Sequence, residues 1–219
     1  MNSMSAQHEF NDVEREAIYG CIALRRDTRH FLSGAQVPEA QLQRMLEAAH
    51  QAPSVGLMQP WRLLRIRDTA LREQIAAEVE TERQATSKLL GERNDEFLRL
   101  KVEGLRECAE LLAIVLPPDD GTVFGRRTMP LEMAWCSAAC AVQNLWLAAR
   151  AENLGLGWVS MFEPARLAAL LRLPQGATPI GLLCLGPVEH FYEAPMLEQL
   201  GWRQRRPLQE MLMDNYWSE

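Results

Sequence analysis

The chain has 219 residues, 47% of them hydrophobic and 24% charged, and a formal net charge of −6. That length carries one sizeable core or at most two small ones. The acidic balance argues against nucleic acid or an anionic membrane as the main partner, and directs local basic clusters toward a small anion.

The cysteines Cys21, Cys108, Cys136, Cys140 and Cys184 are odd in number, scattered and mostly in apolar surroundings, as in reduced cytoplasmic proteins. Cys136 and Cys140 stand four apart with no second pair nearby, and His8, His30, His50 and His190 are dispersed, so no metal set is expected. The N-terminus does not follow the charged-then-apolar order of a signal peptide, and no run reaches the ~18 apolar residues of a membrane helix. A cytoplasmic location is expected.

Residues 1–10 read as a loose arm. Asn11 is a good N-cap, with Glu14 placed for a capping box and acids in the first turn. Val13, Ala17, Ile18, Cys21, Ile22 and Leu24 follow at helical spacing. The helix delivers Arg25-Arg26-Asp27-Thr28-Arg29-His30-Phe31 at its C-terminal end. Cations are favoured there by the helix dipole, which accounts for one arginine without any ligand. The use of Arg throughout and the closing aromatic point further, to bidentate grip on a phosphate with an acid beside it.

Ser33-Gly34 marks a turn, and Pro38 suits the first turn of a helix carrying Leu42, Met45, Leu46 and Ala49 on one face. That helix must stop before Pro53. Ala52 to Trp61 holds two prolines, a glycine and a serine among Val, Leu, Met and Trp. It reads as an ordered loop, either lining a ligand or simply packed. A short strand is expected over 62–66.

Residues 69–107 are rich in Glu, Arg, Lys and Gln, with high helix propensity, irregular apolar spacing and a break into two pieces expected at Gly91 and Asn94. The pattern fits a lid or a surface helical hairpin equally. Leu111–Leu116 is a buried strand by its continuous apolar run, closed by Pro117-Pro118, and 119–127 is loop. Residues 131–152 are apolar nearly all round, which requires burial on several sides, at the centre of the fold or at a subunit interface. Leu154-Gly155-Leu156-Gly157 reads as the cap of that helix, followed by a strand over 158–162, a short helix from Glu163-Pro164 to Leu171, and a strand over 180–185. From Val188 the chain reads as an extended tail with a second basic cluster, Arg203-Gln204-Arg205-Arg206-Pro207.

Four segments together resemble the FMN-dependent nitroreductase family: Arg25 to Arg29, Ala52-Pro53-Ser54 through Gln59-Pro60-Trp61, Gly155-Leu156-Gly157-Trp158, and Arg203-x-Arg205-x-Pro207. They occur in the family's order and span most of the chain. The resemblance implies a single α+β domain over 1–219, a mainly antiparallel central sheet flanked by helices. It implies a homodimer built around a long central helix, with FMN at the subunit interface and the 188–219 arm embracing the partner. The implied flavin contacts are Arg25, Arg26, Asp27, Thr28, Arg29, Pro53, Ser54, Gly56, Met58, Gln59, Gly157, Trp158, Val159, Ser160, Arg203 and Arg205.

Ordinary members of the family carry Ser where this chain has Asp27. That departure, the 69–107 segment in the place of a cover, and Ser160 resemble the flavin-fragmenting branch of the family. Its members use reduced FMN as substrate and O2 as co-substrate, without a metal. They release 5,6-dimethylbenzimidazole, the lower base of cobalamin, with erythrose 4-phosphate. A separate flavin reductase is then the expected source of reduced FMN. Asp27 and Ser160 are the expected catalytic residues: Asp27 as a base kept ionised by its arginines, Ser160 as a hydrogen-bond donor or as a plain strand serine. A conventional NAD(P)H-dependent flavin oxidoreductase and a non-catalytic flavin-binding protein are the alternatives.

Overall fold

The computed structural model describes residues 9–121 and 130–217. The expected N-terminal arm over 1–10 and the loop over 119–127 therefore fall largely outside the described residues. Four strands form one antiparallel sheet in the order β1-β2-β4-β3: β1 Arg62–Arg65, β2 Glu110–Leu116, β3 Gly155–Val159 and β4 Thr178–Gly186. The helices are α1 Asp12–Leu24, α2 Glu39–His50, α3 Thr69–Lys88, α4 Asn94–Arg99, α5 Pro130–Ala151, α6 Pro164–Leu170 and α7 Met196–Gln199. Among the described residues no helix is long and apolar enough to cross a membrane.

The sheet is covered on both faces, which explains why β2 is an unbroken apolar run. Its side chains alternate between two cores. Leu112, Ile114 and Leu116 join Leu42 and Met45 of α2 and Ala138, Val142 and Leu145 of α5. Leu111, Ala113 and Val115 face Ile75, Ala76 and Val79 of α3 and Leu167 of α6. Truncating a fully buried leucine such as Leu112 to alanine costs about 2–5 kcal/mol in such a setting.

Local signals act as the sequence requires at several ends. Asn11 and Glu14 close a reciprocal capping box on α1. Asp68 caps α3 and Glu163 caps α6, each accepting two backbone N–H bonds. The 69–107 stretch breaks where Gly91 and Asn94 stand, giving α3, a 3-10 turn and α4, then irregular chain back to β2.

Two features differ from expectation. The third strand is Gly155–Val159 rather than 158–162, so Gly155 and Gly157 are strand residues and not a helix cap. The reason is non-local. The segment after α1 lies flat against β3: Asp27 forms a parallel bridge with Leu156, and the Thr28 N–H donates to the Leu156 carbonyl at 3.0 Å. A Cβ on Gly157 would collide with the Thr28 carbonyl oxygen and come within 2.7 Å of Arg29 Nη1. A Cβ on Gly155 would meet Thr28 Cγ2 at 2.8 Å.

The second difference concerns α5 and α1. One side of α5 is in the core, while Leu131, Trp135, Cys136 and Cys140 are exposed, so within the lone chain the expected burial on several sides is met on one side. Helix α1 buries no residue at all, and Val13, Ile18, Tyr19, Ile22 and Leu24 face outward or sideways on the surface.

Candidate functional site

The chain leaves α1 at Arg25, whose backbone is extended, and runs along β3. This presents Asp27 and Arg29 at the end of the sheet, beside residues 158–161. Asp27 is held at both oxygens. Its Oδ1 accepts the Trp158 N–H at 3.1 Å, and its Oδ2 accepts Arg29 Nη2 at 2.6 Å. The same Arg29 nitrogen also donates to the Trp158 carbonyl at 2.9 Å. The ring of Trp158 is fixed in turn by Nε1 donating to the Ile180 carbonyl, and Gly181 leaves room for it.

A cavity of about 210 Å³ opens over this pair. Asp27, Arg29, Trp158, Val159, Ser160 and Met161 form one side. Phe97, Leu100, Lys101 and Val102 come from α4 and the irregular return after it. Met196, Leu197 and Trp202 close the third side from the C-terminal arm. Pockets that enclose a small ligand are roughly 300–1,000 Å³, so the space formed here by one chain is smaller than a whole ligand site.

The direction of the Asp27 pKa shift differs from the expectation that its arginines lower it and hold the carboxylate ionised. Burial among Trp158 and the apolar walls raises its pKa above the ordinary carboxylate value. Arg29, the Trp158 N–H and Arg25 offset this only in part. The Asp27 side chain lines the cavity and keeps 43% of its surface open. A carboxylate with a raised pKa is a stronger base once ionised, and it gains a proton more readily.

The basic residues form a second group beside the first. Arg25 stacks over the Trp146 ring at 4.7 Å, and Arg150 over the Phe191 ring at 3.9 Å. Burial, then the neighbouring cations Arg205, Arg25 and Arg150, push the Arg26 guanidinium below its ordinary value, while Glu198 acts in the opposite sense. Arg26 Nε and Arg29 Nη1 are buried without a hydrogen-bond partner. Clustered cations with orphaned donors suit an anion with several acceptor oxygens, so the residues present fit the phosphate of FMN.

The other expected contacts are placed as follows. Thr28 is buried, with its hydroxyl 3.5 Å from the Arg26 carbonyl, a backbone-side role. Arg203 is exposed on the arm, its N–H directed at the Leu197 carbonyl. Pro53, Ser54, Gly56, Met58 and Gln59 belong to a loop wound into a 3-10 turn against α5, and they do not line the Asp27 cavity. Ser54 Oγ accepts the Gln59 N–H, and Ser137 Oγ accepts the Val55 N–H. Met58 and Gln59 border a separate cavity with Arg62, Pro118 and Leu131. Among the described residues no group of three His, Cys, Asp or Glu could hold a metal ion.

Residues outside the expected set also shape the site. Phe97, Lys101, Met161, Met196, Leu197 and Trp202 line the cavity, and Tyr192 Oη accepts the Arg29 N–H at 3.2 Å. Gly104 lets the chain returning from α4 sit on Phe31, where a Cβ would come within 2.6 Å of the ring. Phe97 and Trp202 carried a sequence signal, as large aromatics in polar stretches. Tyr192 and Gly104 carried none.

The chain belongs to the nitroreductase family, whose model matches residues 22–187. Two curated relatives, both 5,6-dimethylbenzimidazole synthases, extend over most of it. That of Rhodospirillum rubrum is 40% identical over 202 residues, covering 90% of this chain and 94% of its own. That of Rhodobacter capsulatus is 36% identical over 201 residues, covering 90% and 96%. Among solved structures, a BluB-like flavoprotein from Clostridium difficile superposes with a TM-score of 0.70 at 18% identity, over 90% of this chain and 97% of the other, a likeness of fold.

Proposed function

We propose that this chain forms 5,6-dimethylbenzimidazole by oxygen-dependent fragmentation of reduced FMN, releasing erythrose 4-phosphate. The observation that carries the reading is Asp27. A carboxylate gripped by Arg29 and the Trp158 N–H faces a covered cavity, next to a cationic cluster suited to the flavin's phosphate. Relatives named for this activity, at 40% and 36% identity over nine-tenths of the chain, support it.

Bound reduced FMN supplies its own reactivity toward O2. The protein's task is to hold, shield and deprotonate. Arg25, Arg26, Arg29 and Arg205 anchor the phosphate, with Arg203 joining them from the arm. That fixes the direction in which the ribityl chain and ring must extend. Asp27 takes a proton from the ribityl chain, and Arg29 keeps its Oδ2 oriented for the transfer. Ser160, exposed at the end of β3, donates a hydrogen bond toward the ring. The walls from 97–102 and 196–202 exclude water, which keeps the oxygen chemistry on the fragmentation route.

The part-sized cavity and the outward apolar faces of α1 and α5 support a homodimer. In it the Pro53–Gln59 loop of the second copy completes the flavin site. Reduced FMN comes from a separate flavin reductase. The test is to incubate the protein with chemically reduced FMN in air and to seek dimethylbenzimidazole by mass. Its formation supports the reading. Oxidation of NADH or NADPH without the benzimidazole, or FMN held intact in air, contradicts it.

A further inference from the structure

The two outer walls of the cavity are joined to each other as well as to the cavity floor. Arg93, just before α4, lays its guanidinium over the Trp202 ring, 3.6 Å from the centroid. Its Nη2 also donates to the Trp202 carbonyl at 3.3 Å, and Glu96 fixes its Nε at 2.8 Å. Phe97, a cavity residue of α4, packs on the same indole with ring centroids 6.1 Å apart. Trp202 therefore bridges the 91–102 segment and the arm.

On the arm, Trp202 sits inside a short closed turn. Its N–H donates to the Leu197 carbonyl at 2.8 Å, and Gly201 takes the left-handed conformation that ends α7. Across the same turn Arg205 pairs with Glu198 at 3.3 Å. Arg205 is also one of the cations that bear on Arg26. One small unit of chain thus carries Arg205, the arginine proposed for the phosphate, at one end and the contact to the 91–102 segment at the other.

We infer that Trp202 is a positioning residue that couples phosphate capture by Arg205 to closure of the 91–102 cover, so that the site closes on FMN and stays open on riboflavin. The inference rests on the proposed function. A phosphate drawn between Arg26 and Arg205 relieves their mutual repulsion and fixes the arm. The fixed arm presents the indole face to Arg93 and its edge to Phe97. Cation–π and aromatic contacts of this kind are short in reach and dependent on orientation, so a loosened arm forfeits both. Discrimination is then exercised in closure more than in initial binding, the pattern of induced fit.

Hydrogen exchange over residues 91–104, with saturating oxidised FMN or riboflavin and no turnover, tests this. In the wild-type protein FMN should slow exchange there at least several-fold more than riboflavin at equal occupancy. Compared at equal FMN occupancy, Trp202→Ala should lose that protection. Arg93→Met, a change at a half-exposed side chain that cannot unseat the core, should lose it too and decides the matter if Trp202→Ala misfolds. In air with reduced FMN, both variants should divert flavin from dimethylbenzimidazole to oxidised FMN. Equal protection by riboflavin and FMN, or full FMN protection in the variants, overturns the coupling. If wild-type protein makes dimethylbenzimidazole and the variants match it, the coupling alone falls. If the wild-type protein does not bind FMN, the proposed function falls and takes the coupling with it.

Discussion

At the scale of residues, the site is decided by competition around Asp27. Two effects pull its pKa in opposite directions, and burial outweighs Arg29, the Trp158 N–H and Arg25. The direction has a kinetic consequence. A base works only when ionised, and a raised pKa moves the loss of activity on the acid side to higher pH. The pH profile of kcat/KM for dimethylbenzimidazole formation should show that limb above the ordinary carboxylate range. Arg29→Met removes a lowering influence and should move it further up. A limb within or below the ordinary range in the wild-type enzyme would show that the arginines dominate after all.

Gly157 gives a second test at the same scale. Its Cα faces the Thr28 carbonyl so closely that Gly157→Ala must push the 27–29 segment off β3. Overpacking of this kind costs about 1–3 kcal/mol, and here the displaced residues are the site itself. Thermal unfolding should shift down and flavin affinity should fall together. A variant with wild-type stability and affinity would mean that the segment is not seated as described.

At the scale of elements, what the sequence made legible and what it hid divide by the range of the interaction. The Asn11–Glu14 capping box, the β2 run and the breaks at Gly91 and Asn94 are local or one-dimensional signals, and each was readable. Gly155 and Gly157 look like loop residues because the reason for them, Thr28, lies more than a hundred positions away in the chain. The type of Asp27 was legible, but the sign of its pKa shift was not, because Trp158 and the cavity walls that desolvate it are assembled by folding. The loop over 52–61 was readable as ordered and not as positioned, since its hydrogen bonds run to α5 and within itself.

The arm is the element on which phosphate recognition can be isolated. Arg205 pairs with Glu198 through a side chain that is 66% exposed and bears on Arg26, so its removal leaves the core untouched. Loss of one charge-assisted bond to phosphate costs roughly 1.5–3 kcal/mol, about ten- to a hundredfold in affinity. Arg205→Ala should therefore weaken FMN by that factor and riboflavin hardly at all, as measured by fluorescence titration. An unchanged preference for FMN over riboflavin would remove Arg205 from the phosphate site.

At the scale of the whole molecule, the lone chain leaves too much apolar surface uncovered. Val13 and Tyr19 of α1 are 75% and 69% exposed, and Leu131 of α5 and Leu208, Leu212, Tyr216 and Trp217 of the arm are exposed as well. Large apolar side chains left exposed in this number point to an interface with a second copy. Sedimentation at micromolar concentration should give a mass of two chains. A monomer would remove the second copy's loop from the flavin site and with it the shared-site account.

The central claim is that Asp27, in this covered cavity, turns the oxidation of reduced flavin into its fragmentation. The most direct measurement is the product ratio from chemically reduced FMN in air, wild type beside Asp27→Asn. The substitution preserves shape and leaves the arginine cluster in place, while removing the base. Wild-type protein should yield dimethylbenzimidazole. The variant should bind reduced FMN, consume O2 and return oxidised FMN with hydrogen peroxide, its benzimidazole rate lower by about 10²–10⁴-fold. Benzimidazole formation within a few-fold of wild type would contradict the account and leave Asp27 as no more than a structural partner of Arg29.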